Sequence, residues 1–352
     1  MEKLKKMLPK FCGFLFFGTM CTFVSAQKIN YQVNPQTGAL QTLSIANDPQ
    51  KMNWLVVTDG SQYRWVKENY GWGLGYATQV KGNRKEKVSW EIPAEMKQEG
   101  NELVYMAGDI RICVKRKMVE DELIEEYTFR NQGKDKVALV DIGVYTPFND
   151  NYPGSRTCIN ARTNTHIWEG ENAAYVNVLR MGGHAPHLGL VLTKGAVKGY
   201  EIWERGRDKG NSHTRGIIAL NLSDLQLMPG KEYSMSWCLF AHKGIDDFRQ
   251  KLLEKGSVFV SCNKYVFEKG EKACIELAAE TSIQKCVLKN QDIHIPMKKR
   301  GNLWIAEVKM DQLGENRFDI FYGKGKQTHV TCLVIDNVDS LIKKRVDFIC
   351  DH

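Results

Sequence analysis

From 27 to about 242 the chain is a succession of short runs, each alternating apolar with polar residues or continuously apolar. They lie at 39–45, 54–57, 88–92, 102–106, 110–115, 123–130, 137–144, 188–193, 200–203, 216–221 and 233–241. Side chains on a strand point to alternate faces, so a period of two commits this segment to sheet. Asn-Pro, Thr-Gly, Asp-Gly and Pro-Gly pairs separate the runs and supply the backbone angles of hairpin turns. Strands joined by turns pair antiparallel. So many of them over about 215 residues, with no long helical period between, imply one large antiparallel sandwich.

The rhythm breaks at GIDDFRQKLLE, where Ile245, Phe248 and Leu252 recur at helical spacing, Asp246 and Asp247 favour a helix start, and Gly256 a stop. A connector helix is expected over 244–256. Shorter strands resume over 257–335 at the spacing of a small immunoglobulin-like β-sandwich, without the cysteine–tryptophan–cysteine pattern of true immunoglobulins. Beyond 336, a stripe at Ile342, Arg345/Val346 and Ile349, capped by Asp339 or Ser340, reads as an amphipathic helix. At about three turns it needs a packing partner. The expected class is therefore all-β: a large antiparallel supersandwich at 27–243, the connector, the small sandwich, and at 336–352 a helix that opens an absent (α/α) barrel.

Residues 1–26 are of different material. Lys3, Lys5, Lys6 and Lys10 precede an apolar run at 11–24, and Val24-Ser25-Ala26 offers small residues for cleavage before Gln27. The run is shorter than the roughly 20 residues of a membrane span. It reads as an export signal cleaved after Ala26, which places the mature protein in the periplasm or outside the cell, with no stable membrane insertion. Setting it aside removes four lysines and one glutamate, and the formal net charge falls from +8 to +5. Basic and acidic residues are interleaved, as in Lys115-Arg116-Lys117 before Glu120, Asp121 and Glu122. Nucleic-acid binding needs a concentrated basic face and is not expected.

Eight cysteines remain after Ala26, none in a CxxC or zinc spacing. Most sit in apolar runs and read as small buried hydrophobes; pairing among the four from Cys262 to Cys332 is the lesser reading. No cofactor or metal is expected. Gly71-x-Gly73-x-Gly75 lacks the lysine and hydroxyl of a phosphate loop, and Pro186 keeps His184 and His187 from sharing a helical turn.

Export, a β body and many aromatics point to sugars, whose rings stack on flat aromatic faces. The polar, aromatic stretch at 148–180 is read as either a functional loop or one held by its own hydrogen bonds. Within it, Arg162 could grip a carboxylate, His166 act as acid or base, Trp168 serve as a platform and Glu169 form half of a carboxylate pair. The charged run at 201–215 adds Trp203 and Glu204, and YGWGLGY adds Trp72 as a further platform. Each has a plain alternative: core packing for Trp72 and Trp168, an exposed charged hairpin for Trp203 and Glu204, a surface ion pair for Arg162 with Glu169, a turn hydrogen bond for His166.

The order of parts resembles six-hairpin glycosidase-like proteins, in which a galactose-mutarotase-like supersandwich precedes an (α/α)6 barrel. The stretch NARTNTHIWEGENAAYVNVLRMGGHAPHLGLVLT, with PGKEYSMSWCLFAHKGIDDF further on, resembles an exported family of unknown function common in gut Bacteroidota. The resemblance implies a glycan or polysaccharide partner and a barrel that carries the general acid and base. This chain is expected to end about one helix into that barrel, to be noncatalytic by itself, and to work with a helical-barrel partner. A freestanding glycan-binding protein and a mutarotase-type epimerase using His166 with Glu169 or Glu204 are the alternatives.

Overall fold

The computed structural model describes residues 28–57, 70–91, 96–151, 153–203, 216–280, 286–290 and 293–352. Among these residues the first sandwich has an eight-stranded sheet in the order Thr163–Trp168, Tyr175–Arg180, His187–Lys194, Glu232–His242, Glu122–Asn131, Ile110–Val119, Glu102–Ala107, Lys97–Glu99. Facing it is a sheet running Val197–Trp203, Ile217–Leu222, Val137–Tyr145, Gly75–Lys81, Arg84–Ser89, with Leu225–Leu227 also paired to Val137–Tyr145. A hairpin of Ile29–Val33 and Leu40–Ile45 lies beside them. All these pairings are antiparallel, and inward side chains of both sheets, Ile112, Phe129, Ile142 and Leu220 among them, merge into one apolar core.

The second sandwich faces a sheet of Val258–Cys262, Lys272–Ala279, Leu303–Lys309 and Lys298–Arg300 against one of Val266–Glu268, Lys326–Ile335, Gly314–Tyr322, Cys286–Asn290 and Ile293–Pro296. It has its own core. The all-β sandwich class read from the sequence is the class observed.

Three helices accompany the described strands. α1 (Ser155–Ala161) and the two strands after it occupy the stretch expected to be loop. The strand Thr163–Trp168 is an edge strand, so its outward Asn164 and His166 can be polar while Thr163, Thr165 and Ile167 turn inward. Residues 54–57, expected as a strand, make only a bridge from Leu55 to Phe148.

α2 (Ile245–Glu254) is the expected connector helix. Its Phe248 and Leu252 are buried on the outer face of the eight-stranded sheet, against Val191, Cys238 and Phe240. Asp247 accepts the Lys243 N–H at 2.7 Å, and Lys251 near the far end donates to the Ala241 carbonyl at 2.9 Å. α3 (Val338–Asp351) is capped by Asn337, whose side chain accepts the N–H groups of Asp339 and Ser340 at 3.0 and 3.2 Å. The cap lies before the residues expected to supply it, because the helix starts a turn ahead of its apolar stripe. No α3 residue is buried, and Leu341, Ile342, Val346, Phe348 and Ile349 are 50–65% exposed. None of the described helices is long and apolar enough to cross a membrane.

His242 lies wholly enclosed beneath α2, with ring centroids 5.1 Å from Phe248 and 5.3 Å from His187. Burial, more than the neighbouring His187, drives its pKa down to about 4, against the opposing hydrogen bond of the Gly244 backbone. The folded protein thus disfavours the proton that the unfolded chain accepts near 6.5. Stability from this group is complete above about 6.5 and is lost as pH falls toward 4, by about 3 kcal/mol. Urea melts at stepped pH are expected to show that loss, and His242→Gln to flatten the curve over the same interval.

Candidate functional site

The polar centre of the first sandwich is built from three adjacent strands. In Glu122–Asn131 the inward positions are Leu123, Glu125, Tyr127, Phe129 and Asn131, so Glu125 is a carboxylate in an apolar row, 0% exposed. Directly across from it stand Arg116 on one neighbouring strand and Trp237 on the other. Arg116 donates through Nε to Glu125 Oε1 at 2.5 Å, and Trp237 through its indole N–H to Oε2 at 2.7 Å. A second indole, Trp72, reaches the same oxygen at 2.7 Å and packs edge-on against Phe148. Arg116 also donates to the Gly38 carbonyl at 2.6 Å. Gly73 explains part of the aromatic–glycine alternation. Its φ is +87°, and a Cβ there would stand 2.5 Å from Arg116 Nη2.

Arg116 is also a wall of a cleft of about 330 Å³ between the N-terminal hairpin and the far end of the eight-stranded sheet. Tyr31, Asn34, Gln98 and Asn101 supply polar groups around it, with Met96 and Leu103 as apolar walls. Its volume is at the small end of ligand clefts, which run about 300–1,000 Å³. The described lining contains no carboxylate and no histidine. With the guanidinium already joined to Glu125, this cleft is equipped to hold hydroxyl-rich molecules by hydrogen bonds and has no acid–base pair for moving protons. A second cleft, of about 310 Å³, lies on the small sandwich beside Ser257, Glu280, Tyr322, Lys324 and Lys326.

The described residues among those singled out in the sequence do not gather at either cleft. Trp72 is 0% exposed and presents no face to a sugar. Arg162 donates to Asn151 Oδ1 and to the Ala161 carbonyl, holding its own loop. His166 is exposed on the edge strand opposite Asn177, and Glu169 is half-buried just past that strand's end. Glu204 lies outside the described residues, and of Trp203 only the backbone closing its strand is described. Among the described residues there is no group of three or more side chains suited to hold a metal ion.

Trp168 belongs to a weld between the two sandwiches. It lies parallel to His329 of the second sandwich, centroids 5.6 Å apart, and to Tyr175 of the first, 6.4 Å apart. Tyr175 stacks in turn on Phe259 of the second at 5.9 Å, with the Arg249 guanidinium 4.4 Å from that ring's centroid. Beside this ladder Glu171 accepts from Arg317 at 2.6 Å and lies 2.9 Å from His329 Nδ1. Asn172 exchanges hydrogen bonds with the Gln327 backbone, and Ala173 is buried in the second core. Glu171 sits at φ +47°, a left-handed conformation costly for this residue and held by those contacts. The sequence signal was present in WEGEN, whose Glu171 and Asn172 are bonded across the junction.

No protein-family model matches the chain, and no curated protein matches it. Among solved structures, one described as a polysaccharide lyase is 56% identical with a TM-score of 0.86; the match covers 92% of this chain and 48% of that one. The chain therefore spans about half the length of that relative. A galactose mutarotase related enzyme from Lactobacillus acidophilus is 10% identical with a TM-score of 0.39, over 63% of this chain and 97% of its own. The 56% identical neighbour is thus described as a carbohydrate-active protein.

Two substitutions separate the hub from the weld. Glu125→Ala strands a guanidinium and two indole N–H groups in the core and is expected to remove about 3–5 kcal/mol from the unfolding free energy. Glu171→Ala is expected to cost about 1–3 kcal/mol and to split one calorimetric transition into two, because each sandwich keeps its own core.

Proposed function

We propose that this chain is the noncatalytic, glycan-engaging β portion of an exported polysaccharide-processing protein, and that a helical body outside the described residues packs on α3. The observation that carries the reading is the match itself: 56% identity over 92% of this chain, yet only 48% of the lyase. Two features support it. The cleft beside Arg116 offers amide and phenol groups to sugar hydroxyls and no proton-transfer pair, and α3 exposes a full apolar stripe that a surface helix normally buries. Export follows from residues 1–26, with Gln27 as the first residue of the mature protein. A freestanding glycan-binding protein is the second reading, favoured by the same cleft. His166 stands exposed on an edge strand outside both clefts, so the described residues give a mutarotase-type epimerase no enclosed site around it.

The purified chain from Gln27 onward is expected to produce no unsaturated product, followed by its ultraviolet absorbance, from any acidic polysaccharide. Calorimetry against a panel of plant and host glycans is expected to find a binder, weakened about 10-fold when Asn34 and Asn101 are both changed to Ala. Turnover by this chain alone would overturn the noncatalytic reading, and an absence of heat with every glycan would overturn the binding one.

A further inference from the structure

We infer that Cys262 and Cys332 form a redox pair that closes into a disulfide joining the two sheets of the second sandwich, with a protein disulfide of the exported compartment as oxidant. Strand alternation aims the two thiols toward one another. Val258, Val260 and Cys262 take the inward positions of one sheet, and Val330, Cys332 and Val334 those of the other. Facing sheets usually stand about 10 Å apart, beyond the roughly 7 Å between Cα atoms that a disulfide tolerates. Here the sheets converge. The chain leaves its strand at Cys262 and, after only Asn263 and Lys264, reaches the opposite sheet. There the Tyr265 carbonyl accepts the Leu333 N–H at 2.8 Å, and Val266 pairs with Leu333 in parallel. Cys332 immediately precedes Leu333, so this crossing sets the cysteines side by side.

The two sulfurs are unequal. Cys262 is half-buried and Cys332 is 0% exposed. The neighbouring Cys332 thiol lowers the Cys262 thiol's pKa in spite of its burial, with help from the Lys264 and Asn263 backbone. The same pairing, with burial, pushes Cys332 up. Burial also pushes up Cys113, Cys238, Cys274 and Cys286. Of the two, Cys262 is thus the one poised to become the thiolate, the form that attacks disulfides. Its thiolate attacks one sulfur of the oxidant's disulfide and expels the other as thiolate. The mixed disulfide carries no charge on Cys262, so one of the influences holding the proton on Cys332 is relieved. Cys332 releases that proton to solvent and attacks the Cys262 sulfur, expelling the oxidant's second thiolate. Two electrons pass to the oxidant, which leaves as a dithiol after taking up two protons. The inference rests on export, since a reducing thiol pool keeps such pairs open, and is independent of the glycan reading.

The test is a non-reducing peptide map of the folded chain after treatment with oxidised glutathione at neutral pH, acid quenching and alkylation. A chain lighter by two hydrogen atoms, with the Cys262 and Cys332 peptides joined, is expected, and reduction should lower its Tm by about 5–10 °C. Cys332→Ser should trap glutathione on Cys262, and Cys262→Ser should abolish cross-link and adduct with an unchanged circular dichroism spectrum. Full alkylation of both cysteines in the treated parent, or Cys262 joined to Cys274 instead, would overturn the inference whatever the variants do.

Discussion

A carboxylate in the middle of an apolar sheet face organises the large sandwich. Unpaired, Glu125 would be costly by several kcal/mol. Arg116 and Trp237, directly opposite it on both neighbouring strands, and Trp72 from outside that sheet supply its donors. Because side chains alternate, a slip of one residue in any of these strands would turn a partner to the wrong face and leave the charge bare. The hub therefore selects register as well as holding layers together, and it requires a glycine at position 73 where the guanidinium approaches the backbone.

The same physics joins the two sandwiches. His329, Trp168, Tyr175 and Phe259 interleave from both sides, while Glu171 and Asn172 fasten the adjoining turn to the second sheet. Groups that could serve chemistry are thereby committed to structure: one glutamate to three donors, another to an arginine and a histidine. Among the described residues, what stays open includes the cleft beside Arg116, suited to hydroxyl groups, and a helix with a bare apolar stripe. That division of labour is the one the proposed function requires of a β scaffold.

Much of this architecture was legible in the chain. Period-two runs and turn dipeptides revealed the sheets, and Phe248 with Leu252 revealed α2. The hub was legible in part, since Glu125 shares its alternation with Leu123, Tyr127 and Phe129, whereas its partners depend on pairings that no local pattern encodes. The stretch 148–180 misled for a physical reason. An edge strand needs apolar residues on one face only, and polar residues that bond across a domain junction have the composition of a functional loop. Trp72 and Trp168 misled similarly, because indoles suit sugars and also suit cores where the N–H or the ring face finds a partner. The thiol pair depends on a crossing between sheets that sequence spacing does not show.

The central claim is that the β scaffold is complete in itself while α3 awaits a helical neighbour. Hydrogen exchange of the purified chain tests it most directly. Slow exchange in Glu122–Asn131 and Glu232–His242, with α3 amides exchanging at nearly the rate of an unfolded peptide, is the predicted result. Protection of α3 as strong as that of those strands, in the isolated monomer, would contradict the account.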